Sequence, residues 1–323
     1  MEVNLSSEFV LGVDGGGSGT RCSVVSLDGL FIASGTGGPS NPITVGVDKS
    51  RNNIMRAVDE VIKKTGIGGL KASVLGIAGT DRSKLRDELL NTLPDSLGEK
   101  EIVSDAKSAL AGATACRHGV IVVAGTGSIV YGENQVGQTA RAGGWGWRLG
   151  DEGSGYTIGR NAIISILKAF DGRGPDTNLT QQVLNKLGLN RVEDIIDWAY
   201  SQCREPRDFA RLVPTVREVA NQGDEVANLV LAEAGGELGL VAQAVIRRLN
   251  LVEEFPIAFN GGVFQKSGPY TIALEEVIRR QAPECYFISP RFNADIGSCL
   301  LALKKLGVEI TYDILRRLET SLE

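Results

Sequence analysis

The chain has 323 residues, of which 23% are charged and 42% hydrophobic, and its formal net charge is −5. A chain of this length exceeds the size at which one hydrophobic core keeps growing, so we expect two domains. No dense cluster of lysine and arginine stands out, which argues against a nucleic-acid surface. No apolar run approaches about 18 residues and the N-terminus lacks a signal-peptide pattern, so we expect a cytoplasmic protein without a membrane span.

Three residue types narrow the chemistry further. Glycine accounts for 41 of 323 residues and clusters at the ends of apolar runs, which suggests tight turns and close backbone approach to a ligand. His118 is the only histidine, so histidine triads and histidine-rich metal sites are nearly excluded. No CxxC pair occurs, so no disulfide framework or recognisable metal site is expected from the five cysteines, Cys22, Cys116, Cys203, Cys285 and Cys299.

The first third of the chain reads as three strands followed by alternating helices and strands. EFVLGVD, RCSVVSLDG and LFIASGTG are the strand candidates, and the turn GGGSGT joins the first two. Apolar residues at helical spacing predict a helix over 45–65. KASVLGIAG and EIVSD are two more strand candidates, with a helix over 82–93 between them and another opening just after Asp105.

The same order of elements then begins again. HGVIVVAGTGSIVYGE reads as strand, glycine turn and strand, and residues 153–250 are mostly helical. A strand candidate, FPIAFNGG, comes next, followed by a helix from about residue 269, a further strand, CYFIS, and closing helices. This repetition predicts duplicated α/β halves with a cleft between them. We expect an N-terminal domain over 1–117, with a C-terminal helix at 308–323 as a candidate addition to it, and a larger second domain over 118–307.

The stretch VDGGGSGTR is the first candidate binding loop. A strand ends at Asp14, whose carboxylate could hold Mg²⁺ through water. Backbone N–H groups of the following turn can point at a phosphate, together with a hydroxyl, over Gly15, Gly16, Gly17 and Ser18. No Walker A lysine follows, and the next segment is a strand where a dinucleotide fingerprint needs a helix. On these residues alone, a glycine hairpin without a ligand is an equal alternative.

Two further glycine turns follow. AGTGS forms a second hairpin, in which Thr126 and Gly127 could meet terminal phosphates, and an ordinary hairpin is the alternative. NGG ends an apolar strand, and Gly261 and Gly262 suit a nucleotide contact, with a plain strand-to-helix turn at least as good an explanation. Two similar hairpins that head two similar halves favour the phosphate interpretation for both.

The motifs together resemble a known family. GVDGGGSGTR, SDA, AGTGS, GGWGWRLGDEGSGY and NGGVF occur in this order from about residue 9 to 300. They resemble the N-acetylglucosamine kinase group within the BadF/BadG/BcrA/BcrD ATPase family. The resemblance implies duplicated ribonuclease H-like α/β domains of the actin/hexokinase type with an interdomain cleft, ATP and Mg²⁺ as cofactors, a sugar substrate and a homodimer. Ser18 departs from the threonine of many relatives but keeps the hydroxyl.

Residue roles follow from that resemblance position by position. Asp105 is similar to the family's catalytic base, which also contacts the sugar, although without the resemblance a plain helix N-cap is favoured. Nucleotide contacts are implied for Gly15, Gly16, Gly17, Ser18, Thr126, Gly127, Ala220, Gly261 and Gly262. Sugar contacts are implied for Asn41, Asp105, Ser128, Gly144, Trp145, Gly146 and Asp151.

The adjacent acids Asp151 and Glu152 suggest a catalytic pair at first sight. Adjacent side chains diverge on a strand and lie about 100° apart on a helix, so the two are poorly placed to act on one atom. We therefore expect Asp151 to accept hydrogen bonds from sugar hydroxyls and Glu152 to lie at the start of the next helix. Trp145 or Trp147 would give the sugar an apolar platform, with core packing as the alternative for both.

The function implied is an ATP-dependent kinase that phosphorylates the 6-hydroxyl of N-acetylglucosamine, glucosamine or glucose. One alternative is an ATPase activator of an acyl-CoA dehydratase, whose iron–sulfur cluster needs close cysteines that this sequence lacks. Another is a sugar-sensing regulator, and such relatives carry a helix-turn-helix extension where only about seven residues precede the first strand here.

Overall fold

The chain divides into two units. The computed structural model describes residues 8–201, 204–264 and 268–323. One unit combines Met1–Gly119 with Ser289–Glu323, and the other is Val120–Ile288. Each unit contains one five-stranded sheet with helices packed against it.

The first unit contains five strands and six α-helices within its described residues. The strands are β1 Phe9–Gly15, β2 Thr20–Ser26, β3 Phe31–Gly37, β4 Ala72–Ile77 and β5 Glu99–Val103. The helices are α1 Pro42–Val45, α2 Val47–Thr65, α3 Ser83–Thr92, α4 Asp105–Thr114, α12 Ala294–Lys305 and α13 Tyr312–Leu322.

The second unit has the same number of strands and more helix. Its strands are β6 Gly119–Ala124, β7 Ser128–Glu133, β8 Thr139–Gly143, β9 Pro256–Asn260 and β10 Tyr286–Ile288. Its helices are α5 Gly155–Phe170, α6 Leu179–Leu187, α7 Asp194–Tyr200, α8 Pro206–Ala210, α9 Val213–Asn221, α10 Glu225–Arg248 and α11 Pro269–Gln281.

The two sheets share one topology. The first has the strand order β3-β2-β1-β4-β5, and the second, β8-β7-β6-β9-β10, repeats that order with its own five strands. In the first sheet β2 pairs antiparallel with β1 and β3, whereas β4 pairs parallel with β1 and β5. In the second, β9 is parallel to β6 and to β10, and β7 is antiparallel to β8. The predicted duplication of the two halves is therefore present in the strand order.

The helix α12 packs on the first sheet, although the sequence prediction placed it in the second domain. A Cβ at Gly12 of β1 would lie 2.4 Å from the backbone N of Cys299, so the helix backbone rests almost on the strand. Ser298 fixes the helix further by donating a hydrogen bond of 2.8 Å to the carbonyl of Val13. The second unit therefore ends at Ile288 rather than at residue 307, and the first unit contains α12 in addition to α13, the closing helix that the sequence analysis had offered to it.

The core of the second unit is built around α10. By length and composition alone this helix could cross a membrane. Its mean hydropathy stays high although Glu233 and Glu237 interrupt the apolar run. Half of its most apolar stretch is buried, and Leu231, Leu238 and Val245 belong to the unit's hydrophobic core. We therefore interpret α10 as a core helix.

Strand β8 was not predicted from the sequence. Its residues, TARAG, are exposed or half-buried and include one arginine, so no apolar alternation marks them as a strand. The strand exists because β7 offers an edge with which it pairs from Ile129↔Gly143 to Glu133↔Thr139.

Candidate nucleotide and sugar site

The first glycine hairpin leaves open space above its turn. Gly16 N donates to Gly19 O at 3.0 Å and closes the turn between β1 and β2. A Cβ on Gly16 or Gly17 would meet no atom within 4 Å, whereas a Cβ on Gly15 would lie 2.2 Å from Ser40 Oγ. Packing therefore explains Gly15 but neither of the next two glycines. The N–H group of Gly16 is used within the turn, so Gly17 is the glycine of this turn whose N–H group is a candidate donor to a bound phosphate. The side chain of Ser18 is exposed beside them.

Asp14 ends β1 directly before this turn, opposite Arg21 in the β1–β2 register. Burial, together with the nearby carboxylates of Asp105 and Asp295, raises the pKa of its carboxyl to about 7 against the lowering effect of Arg21. Such an excess of negative charge fits a divalent cation. No cluster of three or more metal-ligating side chains occurs among the described residues. Mg²⁺ held through Asp14 would keep waters and phosphate oxygens as its main ligands.

Asp105 is the first residue of α4 and does not cap it. Ser104 is the N-cap, and its Oγ accepts a hydrogen bond from Lys107 N at 3.2 Å. The N-cap alternative for Asp105 is therefore wrong. The half-buried carboxylate accepts from Ala106 N at 2.9 Å, and the positive end of the helix dipole favours its charged form.

Asn41 lies next to the first hairpin. Its backbone N donates to Gly16 O at 3.3 Å, and its Oδ1 accepts from Ile43 N at 3.0 Å as the N-cap of α1. The Nδ2 group has no hydrogen-bond partner in the part of the chain that the structure describes. Within the first unit, the fold thus brings Asn41 to the same turn that Asp14 precedes.

The second hairpin is joined to the start of α5. Gly125 N donates to Gly127 O at 2.9 Å within the turn. Gly155 N donates to Gly125 O at 2.8 Å, and Tyr156 N donates to Thr126 O at 3.2 Å. The GDEGS block is therefore fixed to the AGTGS turn, and the Thr126 side chain stays exposed above it.

Asp151 is built into this junction. Its backbone has a left-handed φ of 63°, which turns the carboxylate back onto the hairpin. The carboxylate accepts hydrogen bonds from the backbone N–H groups of Ser128 and Gly146, and a Cβ at Gly127 would lie 2.8 Å from its Oδ2. Burial raises its pKa, while the two backbone donors partly oppose that rise. With 8% of its surface exposed, Asp151 orders the loop.

Of the other residues in and around this block, some hold the loop in place and others are exposed to solvent. Ser128 Oγ donates to Glu152 O at 2.7 Å, and Ile129 fills the space where a Cβ of Gly144 would lie. Glu152 precedes α5, whose N-cap is Ser154, so it lies just outside the helix. Trp145 is 69% and Trp147 42% exposed, so the core-packing alternative is wrong for both.

A cavity of about 330 Å³ lies along α9, close to the NGG turn. It is lined by Pro214, Arg217, Glu218, Asn221 and Gln222. Arg217 Nη2 donates to the carbonyls of Gly262 and, at 3.1 Å, Val263, and so ties α9 to the turn. A Cβ on Gly262 would meet no atom within 4 Å, whereas Gly261 is packed against Ala124 O. Ala220 itself is buried in the core, so its neighbours line the cavity instead.

Sequence reasoning missed Arg217 because one arginine on an amphipathic helix carries no signal of its own. It also missed Asp295, which is buried against β2, where Ser23 Oγ donates to its Oδ2 at 2.6 Å. No motif marks either residue, since both are placed by tertiary packing. Among the cysteines, Cys22, Cys285 and Cys299 are buried free thiols, and Cys203 lies outside the described residues.

Comparison with known proteins agrees with this geometry. N-acetyl-D-glucosamine kinase of Dictyostelium discoideum is 36% identical over 93% of this chain and 99% of its own length. The N-acetylmuramic acid/N-acetylglucosamine kinase of Clostridium acetobutylicum is 34% identical, covering 91% of this chain and 98% of its own. A Chromobacterium violaceum structure, described provisionally as an N-acetylglucosamine kinase, superposes with a TM-score of 0.73 and 30% identity over 92% of this chain and 99% of its own.

These likenesses confirm the predicted fold class of two ribonuclease H-like domains of the actin/hexokinase type. The family profile covers residues 11–302, nearly the whole chain. The chain belongs to the BadF/BadG/BcrA/BcrD ATPase family.

Proposed function

We propose that the protein is an ATP-dependent sugar kinase that phosphorylates the 6-hydroxyl of an amino sugar or hexose, with N-acetylglucosamine as the first candidate. The observation that carries this proposal is in the first unit, where a glycine turn with open space follows Asp14, whose carboxyl is electrostatically coupled to Asp105. The two curated relatives that match nearly end to end are both named as kinases of N-acetylated amino sugars.

Phosphoryl transfer asks the protein for positioning and charge neutralisation more than for covalent chemistry. In the first unit, the Gly17 N–H group and the Ser18 hydroxyl are proposed to contact the ATP phosphates, and the open space at Gly16 lets a phosphate approach the turn. In the second unit, the Gly127 N–H group and the Thr126 hydroxyl have the same proposed role. Asp14 would hold Mg²⁺ through water, and this ion supplies neutralisation of the phosphate charge when bound. The nucleoside would lie in the cavity along α9, next to Gly262 and Arg217.

Asp105 is proposed as the general base for the sugar hydroxyl. Its position at the first turn of α4 holds the carboxylate on a rigid element, at the helix end whose dipole attracts negative charge. Only a charged carboxylate can take the proton as the hydroxyl oxygen attacks the γ-phosphate. In this proposal Asp14 and Asp105 divide the work, one towards the cation and the other towards the sugar.

The sugar is proposed to contact residues from two loops. Asn41 offers an amide Nδ2 that the fold leaves without a partner in the described residues, and Trp145 offers an exposed ring. The carboxylate of Asp151 has acceptor capacity beyond its two backbone donors, because an ionised carboxylate has about four lone-pair sites. Ser128, Gly144 and Gly146 would shape the backbone around the sugar.

An ADP-release assay over a panel of sugars tests the activity. N-acetylglucosamine, glucosamine, glucose and a no-sugar control are compared at saturating MgATP. We expect ADP release that depends on sugar and is fastest with an N-acetylated amino sugar. ATP turnover that no sugar stimulates would contradict the kinase assignment, and turnover only in the presence of a reduced acyl-CoA dehydratase would favour the activator alternative.

Replacement of the proposed base tests the assignment of Asp105. Asp105→Asn keeps the size of the side chain and removes its basicity, so we expect kcat to fall by about 10²–10⁴ while the affinity for ATP changes little. Asp59→Asn, at an exposed position on α2, is the matched control and is expected to keep the wild-type kcat. Near-normal kcat in Asp105→Asn would show that another group accepts the proton.

A further inference from the structure

A buried tyrosine of α11 contacts the GDEGS block from inside the second unit. Tyr270 is the second residue of α11, and only 4% of its surface is exposed. Its hydroxyl donates a hydrogen bond of 2.7 Å to the carbonyl of Gly153. None of the roles assigned above uses this residue.

The Gly153 carbonyl depends on this tyrosine for its hydrogen bond. Gly153 lies in a turn that Ser154 N closes onto Asp151 O at 3.1 Å, and its φ of 73° is a left-handed value that favours glycine. Within residues 8–201, 204–264 and 268–323, no backbone N–H donates to its carbonyl. A buried carbonyl without a donor is costly, so Tyr270 supplies a bond that the turn does not make for itself.

The tyrosine itself is held in a fixed position. A Cβ at Gly235 of α10 would overlap Tyr270 O, so the backbone of α11 rests directly on α10 at this point. The Tyr270 ring meets Phe264, which directly follows the NGG turn region, edge to face with 5.7 Å between ring centres. Burial also raises the pKa of the Tyr270 phenol, so the hydroxyl keeps its proton and remains a donor.

The position of the Gly153 carbonyl bears on that of Asp151, two residues earlier in the same turn. A Cβ on Gly153 would lie 2.6 Å from Ala234 O, so α10 blocks movement of the turn into the core. The hydrogen bond from Tyr270 opposes movement away from it. The turn that carries Asp151 is therefore held between α10 and the Tyr270 hydroxyl.

We infer that Tyr270 is a positioning residue for the sugar, because its hydroxyl holds, through the Gly153 carbonyl, the turn from which Asp151 contacts the sugar hydroxyls. The inference rests on the proposed sugar kinase function and adds to it a residue that does not touch the substrate. Hydrogen bonds weaken steeply when donor and acceptor are displaced, so the affinity for the sugar is the quantity that responds. The nucleotide is affected less, since Gly155 and Tyr156 fix the AGTGS turn through bonds of their own.

Tyr270→Phe tests the inference, because it removes the hydroxyl and keeps the ring that contacts Phe264. The readouts are KM for N-acetylglucosamine at saturating MgATP and KM for ATP at saturating sugar. We expect KM for the sugar to rise about five-fold, with kcat and KM for ATP within about two-fold of the wild type. A smaller folded fraction lowers the measured rate but changes neither KM, so the comparison holds even if the variant is less stable.

Gln243→Met is the matched control. Gln243 Nε2 donates to Val277 O at 2.6 Å and so joins α10 to α11 by another bond from a side chain to a backbone carbonyl. Methionine keeps the length of the side chain and removes the donor. Both variants should melt below the wild type, but Gln243→Met should keep the wild-type KM for N-acetylglucosamine and for ATP.

The possible failures are distinguishable. An unchanged KM for the sugar in Tyr270→Phe, with sugar-dependent turnover intact, would overturn the inference and leave the kinase function standing. An equal rise of that KM in Gln243→Met would also overturn it, because the effect would then come from general loosening of α11. A rise of KM for ATP as large as that for the sugar would assign Tyr270 to the second unit as a whole and overturn its specific role. Absence of sugar-dependent turnover in the wild type would overturn the proposed function itself.

Discussion

Asp14→Asn should stabilise the protein while abolishing its activity. In the folded chain the pKa of Asp14 is raised from its ordinary value of 3.8 to about 7, first by burial and then by the charges of Asp105 and Asp295. The folded state therefore disfavours the ionised carboxylate. Asparagine keeps the shape of the side chain and removes that cost, but it also removes the charge proposed to hold Mg²⁺.

The sign of the pH dependence follows from the raised pKa. Below about pH 4 the carboxyl of Asp14 is protonated in both states and costs nothing. Between about pH 4 and pH 7 the unfolded chain loses the proton that the folded chain keeps, so the wild type loses stability as pH rises. Above that window both states are ionised and the full cost remains.

The magnitude follows from the size of the pKa change. A rise from 3.8 to about 7 corresponds to about 4 kcal/mol at full effect. Because Asp14 is only half-buried, solvent reduces this figure, and we expect roughly 1–3 kcal/mol at pH 8. For a unit of this size that corresponds to a rise of several degrees, roughly 2–4 °C per kcal/mol, in the thermal midpoint of Asp14→Asn.

Thermal melts of both proteins without Mg²⁺ or nucleotide, at several pH values from 4 to 8, provide the measurement. The variant should exceed the wild type by a margin that is small near pH 4 and grows until about pH 8, and its kcat should fall at least 100-fold (about 10²). A margin that stays constant with pH, or a variant less stable than wild type at pH 8, would refute the electrostatic reasoning.

Three glycine substitutions separate packing from ligand contact. Gly12→Ala should unfold or strongly destabilise the first unit, because its Cβ would meet Asp295 O at 2.1 Å. Gly68→Ala is the control and should melt like the wild type, since its Cβ would meet no atom within 4 Å. Equal melting of the two variants would contradict the packing of α12. Gly17→Ala should also melt like the wild type, since its Cβ has open space, yet raise KM for ATP about ten-fold or more by obstructing the phosphates; an unchanged KM would remove that turn from the nucleotide site.

Much of the fold was readable from local signals. The two glycine hairpins follow apolar strands, and that repeated pattern predicted duplicated α/β halves, which agrees with the strand order that both sheets share. The sequence did not predict which sheet α12 packs against, because its small residues indicate close packing but do not identify the element that they contact. Only the structure shows Gly297 against the backbone of Ser108, where a Cβ would lie 2.1 Å from a carbonyl oxygen.

The candidate site, like the fold, could be predicted only in part from the sequence. The motifs made Asp14 and the glycine turns candidates on residue type and order, whereas Asp105 became a candidate only through the family resemblance. The sequence does not distinguish glycines that packing requires from glycines available to a ligand. Only the structure shows that a side chain at Gly15 would clash with Ser40 and that one at Gly17 would meet open space. The left-handed backbone of Asp151 was not predicted either, because aspartate tolerates that conformation but its presence in a sequence does not require it.

The position of the phosphate in the product tests the central claim most directly. The wild type is incubated with MgATP and N-acetylglucosamine, and the product is examined by phosphorus and carbon nuclear magnetic resonance. We predict one sugar phosphate, esterified at O6, formed in equal amount to ADP and lost in Asp105→Asn. A phosphate on the anomeric oxygen, or ADP released with inorganic phosphate and no sugar ester, would contradict the account.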